Sequence, residues 1–290
     1  MIEFKNVKKS FGQDQVLKDV SFTLNAGEFA ILIGHNGVGK STILNLIVQN
    51  EFHDSGKIFF KGEDIDHPHY FHQKEIAFIH EKINYKLPFS MQKFIEIYKS
   101  EFPRWDHELF RRMVYDRKLD LSKKFTSYSR GQKMQLALII ALARKPKLLL
   151  IDEITAVLDL PGQKYFLSYL KEYVKQGNSV LLTTNIISEA QNFCDKVILL
   201  NGGKVEYHKQ KVELLSQFVK LEILQKDVFR CDWLKLGILT EEVGDKLYYI
   251  FERKGTLQDQ LPAKEVPLTL EDIFIYLYHH QRGQNYAYAI

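Results

Sequence analysis

The chain has 290 residues, 45% of them hydrophobic and 26% charged, a balance that supports a sizeable core and excludes global disorder. That length is room for one large domain or two modest ones. Forty Lys/Arg against 36 Asp/Glu leave a net charge of +4, too weak a bias to argue for a nucleic-acid partner, and none is expected.

The opening Met-Ile-Glu-Phe-Lys has no apolar signal core, so no secretion signal is read there. Along the first two hundred residues, short β-like runs alternate with helical stretches, the pattern of an α/β sheet. Glu28 to Gly34 (EFAILIG) reads as a buried strand and Lys40 to Val48 as a helix. Residues from about 82 to 135 lack a strong strand pattern and carry helical stretches near 90–100 and 106–117, a helical insertion in the sheet domain. Its first part, residues 82–124, is basic, with eleven Lys/Arg and six Asp/Glu; a solvated helical face explains this most simply. Leu136–Ala143 is the longest apolar run, far short of the ~20 residues a membrane span needs, so any membrane role is expected to come through a partner chain. Leu148–Ile151 and Ser179–Thr183 read as two more buried strands. Residues 195–200 and 203–207 read as a hairpin about Asn201-Gly202. The first domain is therefore drawn over 1–208.

Residues 209–290 form a second, smaller α+β region, with a strand over Lys246–Phe251 and a helix over Leu270–His280. His279-His280 reads as an exposed helix end rather than a metal site, since adjacent helical residues point about 100° apart. Cys194 and Cys231 match no metal spacing or disulfide framework and read as reduced core residues.

Three motifs carry chemistry. Gly34, His35, Asn36, Gly37, Val38, Gly39, Lys40, Ser41 and Thr42 fit G-x-x-x-x-G-K-[ST], between a strand and a helix as a phosphate-binding loop requires. Glycines let backbone N–H groups curl around a phosphate, Lys40 reaches the β and γ phosphates, and Ser41 offers an oxygen to Mg²⁺. The helix starting at Gly39 adds its positive end. Next, Leu148–Ile151 runs into Asp152 and Glu153. Asp152 suits Mg²⁺, through water, and Glu153 can orient or deprotonate an attacking water. Finally, Tyr128-Ser129-Arg130-Gly131-Gln132 reads as a capping box, Ser129 with Gln132 three residues on. A helix mouth with Ser and Gly is also an anion site.

Together these motifs resemble the ATP-binding subunits of ABC transporters over residues 1 to about 208. Tyr128–Gln132 is similar to the family's Leu-Ser-Gly-Gly-Gln signature, with Tyr for Leu and Arg for the first Gly. The resemblance implies a P-loop ABC ATPase fold, with a mixed sheet core and a helical subdomain, followed by the small α+β extension. It implies ATP and Mg²⁺ as cofactors. It also implies a head-to-tail pairing with a second ATP-binding subunit, identical or not, whose signature closes on the γ-phosphate. Phe11 matches the aromatic that stacks on adenine; a core Phe in a turn is the plainer alternative. Asp159 ends the segment from Ala156 that crosses the dimer interface. A separate transmembrane permease subunit is implied, placing the chain peripherally at the cytoplasmic face of the membrane. The aromatic stretch Leu87–Tyr98 is expected to contact it, with Phe89 and Met91 at the groove; ordinary core packing of Phe94 and Tyr98 is the equal alternative.

Two positions depart from the pattern. Glu81 stands where the family has the Gln that contacts Mg²⁺ and the attacking water, unless the alignment slips and Glu81 is a surface acid. Asn185 stands where the family has the His that contacts the γ-phosphate. Catalysis is thus assigned to Glu153, Asn185 and Glu81, and metal binding to Ser41, Asp152 and Glu81, in a slow site. The rival expectation is a non-hydrolysing, ATP-gated module. The short extension and the Tyr-Ser-x-Gly signature are most similar to bacterial subunits of antibiotic and peptide exporters, that of phenol-soluble modulins among them.

Overall fold

The computed structural model describes residues 1–67, 72–80, 87–153, 157–184, 187–230, 237–253 and 263–281. Chain contacts divide it into two compact units, Met1–His208 and Lys209–Ile290.

In chain order the first unit contains β1 (Ile2–Phe11), β2 (Asp14–Leu24), β3 (Phe29–Ile33), α1 (Lys40–Ile47), β4 (Ser55–Phe60), β5 (Glu63–Asp64), β6 (Ile76–Ile79), α2 (Met91–Tyr98), α3 (His107–Asp116), α4 (Arg130–Ala143), β7 (Leu148–Asp152), α5 (Leu160–Lys175), β8 (Ser179–Thr183), α6 (Ile187–Ala190), β9 (Lys196–Asn201) and β10 (Lys204–Gln210). The strands form a ten-stranded mixed sheet, ordered β5-β4-β1-β2-β10-β9-β3-β8-β7-β6. Its centre is parallel: β3 lies between β8 and β9, with Ile31 opposite Leu182 and Val197, and β7 lies between β6 and β8. Every residue of β3, β7 and β8 is buried, which is why these strands read as unbroken apolar runs rather than alternating ones. Antiparallel β1, β2 and β4 alternate instead and meet the core through one face, where Phe4 and Phe22 stack 4.5 Å apart. The turn between β9 and β10 is built on Gly202 and Gly203, both at positive φ, the geometry a tight hairpin asks of glycine.

Inside this unit an ion pair between buried Lys196 and half-buried Glu28 ties β9 to the start of β3. Lys196 Nζ lies 2.7 Å from Glu28 Oε2 and donates to the Thr23 carbonyl at 3.2 Å. Burial opposes the Glu28 charge, but Lys196 and two donors from Asn25 outweigh it and hold the carboxyl below its usual value.

The helical segment packs on its own aromatics. Phe94 stacks on Tyr98 at 5.0 Å, and Tyr98, Phe102, Trp105 and Phe110 continue the row. Met91 is 1% exposed. The expectation that it faces a partner is therefore wrong: it opens α2 on the helix's inner side, and Phe89 alone of that pair reaches the surface, half-buried.

Unit two has α7 (Lys211–Ser216), β11 (Phe218–Leu224), β12 (Ile238–Val243), β13 (Lys246–Glu252), β14 (Lys264–Val266) and α8 (Leu270–Gln281). Its antiparallel sheet is ordered β12-β13-β11-β14. Helix α8 sits on one face of it, with Tyr276 5.4 Å from Phe218 and Asp272 2.9 Å from Lys220 Nζ.

Candidate active site

The turn after β3 is shaped by steric exclusion. A Cβ at Gly34 would collide with the Leu200 carbonyl oxygen and stand 2.8 Å from Val38 Cγ1, and one at Gly39 would stand 2.6 Å from Leu17 Cδ2. Gly37 and Gly39 both have positive φ, at 80° and 111°. Gly34, Val38 and Gly39 are buried, whereas His35, Asn36, Gly37 and Ser41 are exposed and Thr42 is half-buried. His35 Nδ1 lies 3.0 Å from the Asn36 carbonyl. The loop thus presents backbone to solvent and leads into α1 at Lys40.

Lys40 is 5% exposed. Its Nζ donates to the carbonyls of Gly34 at 2.7 Å and His35 at 3.2 Å. Burial lowers its pKa, while Glu153 and Asp152 act in the opposite direction. Lys40 and these two acids, far apart in sequence, therefore share one electrostatic site, created by the β3-β8-β7 order.

Asp152 ends β7 at 4% exposure and accepts a hydrogen bond from Thr183 Oγ1 at 2.6 Å. Glu153 leaves the strand with φ +53°. Its N–H donates to the Thr183 carbonyl at 3.1 Å and lies 3.3 Å from Thr183 Oγ1. A non-glycine residue held in the left-handed region costs about 1 kcal/mol or more and marks a position worth functional attention. Among the described residues no group of three or more His, Cys, Asp or Glu could hold a metal ion. Mg²⁺ takes one or two protein oxygens and completes its shell from phosphates and water. The buried Asp152 carboxylate and the exposed Ser41 hydroxyl fit such a site.

At the head of α4, Ser129 Oγ accepts from Gln132 N at 3.2 Å and Gln132 Oε1 accepts from Ser129 N at 3.1 Å, a complete capping box. Ser129, Arg130 and Gln132 are exposed and Gly131 is half-buried. A Cβ at Gly131 would meet the Val157 carbonyl at 3.2 Å.

Residues 17–156 match the family model described as ABC transporter. The chain carries an ABC transporter ATP-binding domain. It is 27% identical over 95% of its length to the ABC transporter ATP-binding protein YtrB of Bacillus subtilis, covering 97% of that protein. It is 27% identical to the Nod factor export ATP-binding protein I of Rhizobium johnstonii, over 95% of this chain and 94% of that one. The spermidine/putrescine import ATP-binding protein PotA of Haemophilus influenzae is 32% identical over 71% of this chain, which spans 56% of PotA's own length. Among solved structures, a dimeric post-hydrolysis ATP-binding cassette bound to ADP and Pi superposes with a TM-score of 0.62 at 25% identity, over 72% of this chain and 98% of that one. The fold is that of the P-loop ABC ATPase cassettes, and the chain belongs to the ABC ATPase family.

Within the cassette, Phe11 ends β1 at 45% exposure, with Lys9 Nζ 4.7 Å above its ring. The core-residue alternative does not fit that exposure. Asp159 is the N-cap of α5, accepting from Gly162 N at 3.1 Å. Glu81 and Asn185 lie outside the described residues, as does Ala156. Cys194 is buried, its thiol donating to the Gln191 carbonyl at 3.6 Å; Cys231 lies outside.

Two partners of the cassette's acids escaped the motif reading. His80 Nε2 is 3.8 Å from Asp152 Oδ2. The signal was present in the parallel register, which pairs Ile79 with Ile151 and so sets the next residues side by side. Thr183 has the same origin, being paired with Asp152 across β8 and β7. The Tyr that replaces the signature's Leu also has a cause. Tyr128 is 5% exposed and its hydroxyl donates to the Asp120 carbonyl, a bond Leu cannot make; burial pushes its pKa up to about 12.

Proposed function

We propose that the chain is the ATP-binding subunit of a membrane exporter, binding Mg·ATP and hydrolysing it between two such subunits to drive a separate transmembrane subunit. The observation that carries this is the buried Lys40 ammonium, held on two carbonyls of its own loop beside Asp152 and Glu153. Phosphate oxygens would take over those contacts, adding a charge-assisted partner where a neutral one now stands. The α1 N-terminus and loop N–H groups complete the anion cradle.

Bound Mg²⁺ would neutralise phosphate charge, held by Ser41, by Glu81 and, through water, by Asp152. Phe11 stacks on the adenine. The Glu153 carboxylate accepts a proton from the water that attacks the γ-phosphorus. That attack breaks the bond to the β-phosphate oxygen, leaving ADP and phosphate. Ser129, Arg130, Gly131 and Gln132 close on the partner's γ-phosphate, and Asp159 lies in the segment that crosses the interface. Asn185 offers a neutral amide where an imidazole serves elsewhere, and Glu81 adds negative charge, so hydrolysis is slow. Export is supported by the extent of the matches. The export relative aligns over 95% of the chain, second unit included, and the import relative over 71%. Residues 209–290 are read as an accessory domain. A position at the cytoplasmic face, through the transmembrane subunit, follows from the same reading.

A second reading, an ATP-gated module that leaves turnover to its partner, is favoured by Glu81 and Asn185 and opposed by Glu153. Steady-state phosphate release by the chain alone and in its membrane complex separates the two. Release that the complex keeps after Glu153→Gln in this chain would leave turnover to the partner and favour the gated module.

A further inference from the structure

Arg117 follows α3 and belongs to none of the motifs above. Its side chain is 18% exposed. Its Nε donates to Gln135 Oε1 on α4 at 3.1 Å. Its Nη2 stands 3.7 Å from Asp159 Oδ1 at the head of α5. Its guanidinium carbon lies 5.4 Å from the centre of the Tyr165 ring on α5, and the Tyr165 hydroxyl donates to neighbouring Asp116 at 3.0 Å. One planar group thus touches α4, the cap of α5 and an α5 ring. The fork of a guanidinium can do this; a compact ammonium cannot.

Gly162 keeps the space open. A Cβ there would stand 2.5 Å from Asp159 Oδ1 and 3.2 Å from Arg117 Nη2. The cap itself does not require Arg117, because Asp159 already accepts from Gly162 N at 3.1 Å. What the guanidinium adds is a tie from Asp159 to the helix that begins with Ser129–Gln132. Asp159 is 63% exposed, and an ion pair this open contributes little to folding stability. Its value must lie in where it holds things.

We propose that Arg117 is a positioning residue for ATP hydrolysis, joining the signature helix α4 and the Asp159 turn so that both meet the partner subunit in one fixed relation. The proposal rests on the reading of the chain as a dimerising ATPase. Arg117 touches no substrate; it acts through Gln135 and Asp159.

The test uses the full chain, with phosphate release measured against ATP concentration for wild type, Arg117→Ala, Arg117→Lys, Asp159→Ala and the double Arg117→Ala/Asp159→Ala. Measured where the variant is fully folded, Arg117→Ala should lower kcat at least fivefold and leave the KM for ATP unchanged, while loss of the bond to buried Gln135 lowers the melting temperature modestly. Arg117→Lys should recover less than half of the loss, since it keeps the charge and loses the fork. The double variant should be no slower than the slower single one, because both changes cut one link. An unchanged kcat in Arg117→Ala would overturn the proposal. So would losses that multiply in the double variant, or a fall in melting temperature that accounts for the fall in rate. Absence of phosphate release by the wild type would overturn the ATPase reading itself, and the proposal with it.

Discussion

Burial opposes the Lys40 charge, and Glu153 and Asp152 act to hold it. Replacing it by Ala removes the one ammonium among the loop's phosphate contacts, and the helix N–H groups cannot supply that charge. Lys40→Ala should weaken ATP binding at least about tenfold, which is ~1.4 kcal/mol; equilibrium binding of a fluorescent ATP analogue is the check. The two departures from the family pattern belong to this scale too. Loss of one preorganised donor costs roughly 3–4 kcal/mol in comparable sites. Asn185→His should therefore raise kcat by up to about two orders of magnitude. Adding Glu81→Gln should exceed the better single change, with ATP affinity nearly constant. A fast wild type indifferent to both substitutions would show that Asn185 already does the work of the imidazole. These expected roles were read from motif spacing, which points to chemistry directly. The Tyr128 hydroxyl bond, the His80–Asp152 approach and the Arg117 contacts were not, because each depends on which elements the fold sets side by side.

At the scale of elements, the parallel strands β3, β7 and β8 were legible because burial on both faces leaves an unbroken apolar run. Strands β1 and β2 were harder to read: their pairing is interrupted by register shifts, and Asn6 sits at φ +50° in the middle of β1. Met91 failed for a related reason. An aromatic-rich helix looks like a docking face until the rings are found stacked on one another. The Glu28–Lys196 pair also joins elements that local patterns cannot connect. Glu28→Gln would leave the Lys196 ammonium beside a neutral amide and should destabilise the cassette in denaturant unfolding, by less than the ~3–5 kcal/mol of a fully buried pair because Glu28 is only half-buried. The pH dependence has a fixed sign. Because the folded carboxyl titrates below its usual value near ~4.3, its contribution is complete above that value and is lost as pH falls through the lower folded one. The wild type should lose this stability under acid, and Glu28→Gln should show a flatter acid limb.

At the scale of the molecule, the chain is two units with separate sheets. The strand and helix of the second region, over 246–251 and 270–280, were visible as local patterns. The pairing order β12-β13-β11-β14 was not, since four short strands admit many orders and nothing local chooses among them. All the site residues lie in the first unit, so a chain cut after Gln210, where β10 ends, should fold and bind ATP with unchanged affinity. A folded truncation that has lost ATP affinity would place part of the site in residues 211–290.

The central claim is that this cassette hydrolyses ATP with Glu153 as base, and steady-state phosphate release at saturating Mg·ATP tests it most directly, wild type beside Glu153→Gln. The substitution keeps size and removes the base. The account predicts slow but measurable release by the wild type and a loss of about a hundredfold or more in the variant, with ATP affinity retained and an ATP-bound dimer accumulating on sizing. Release by Glu153→Gln at the wild-type rate would contradict it.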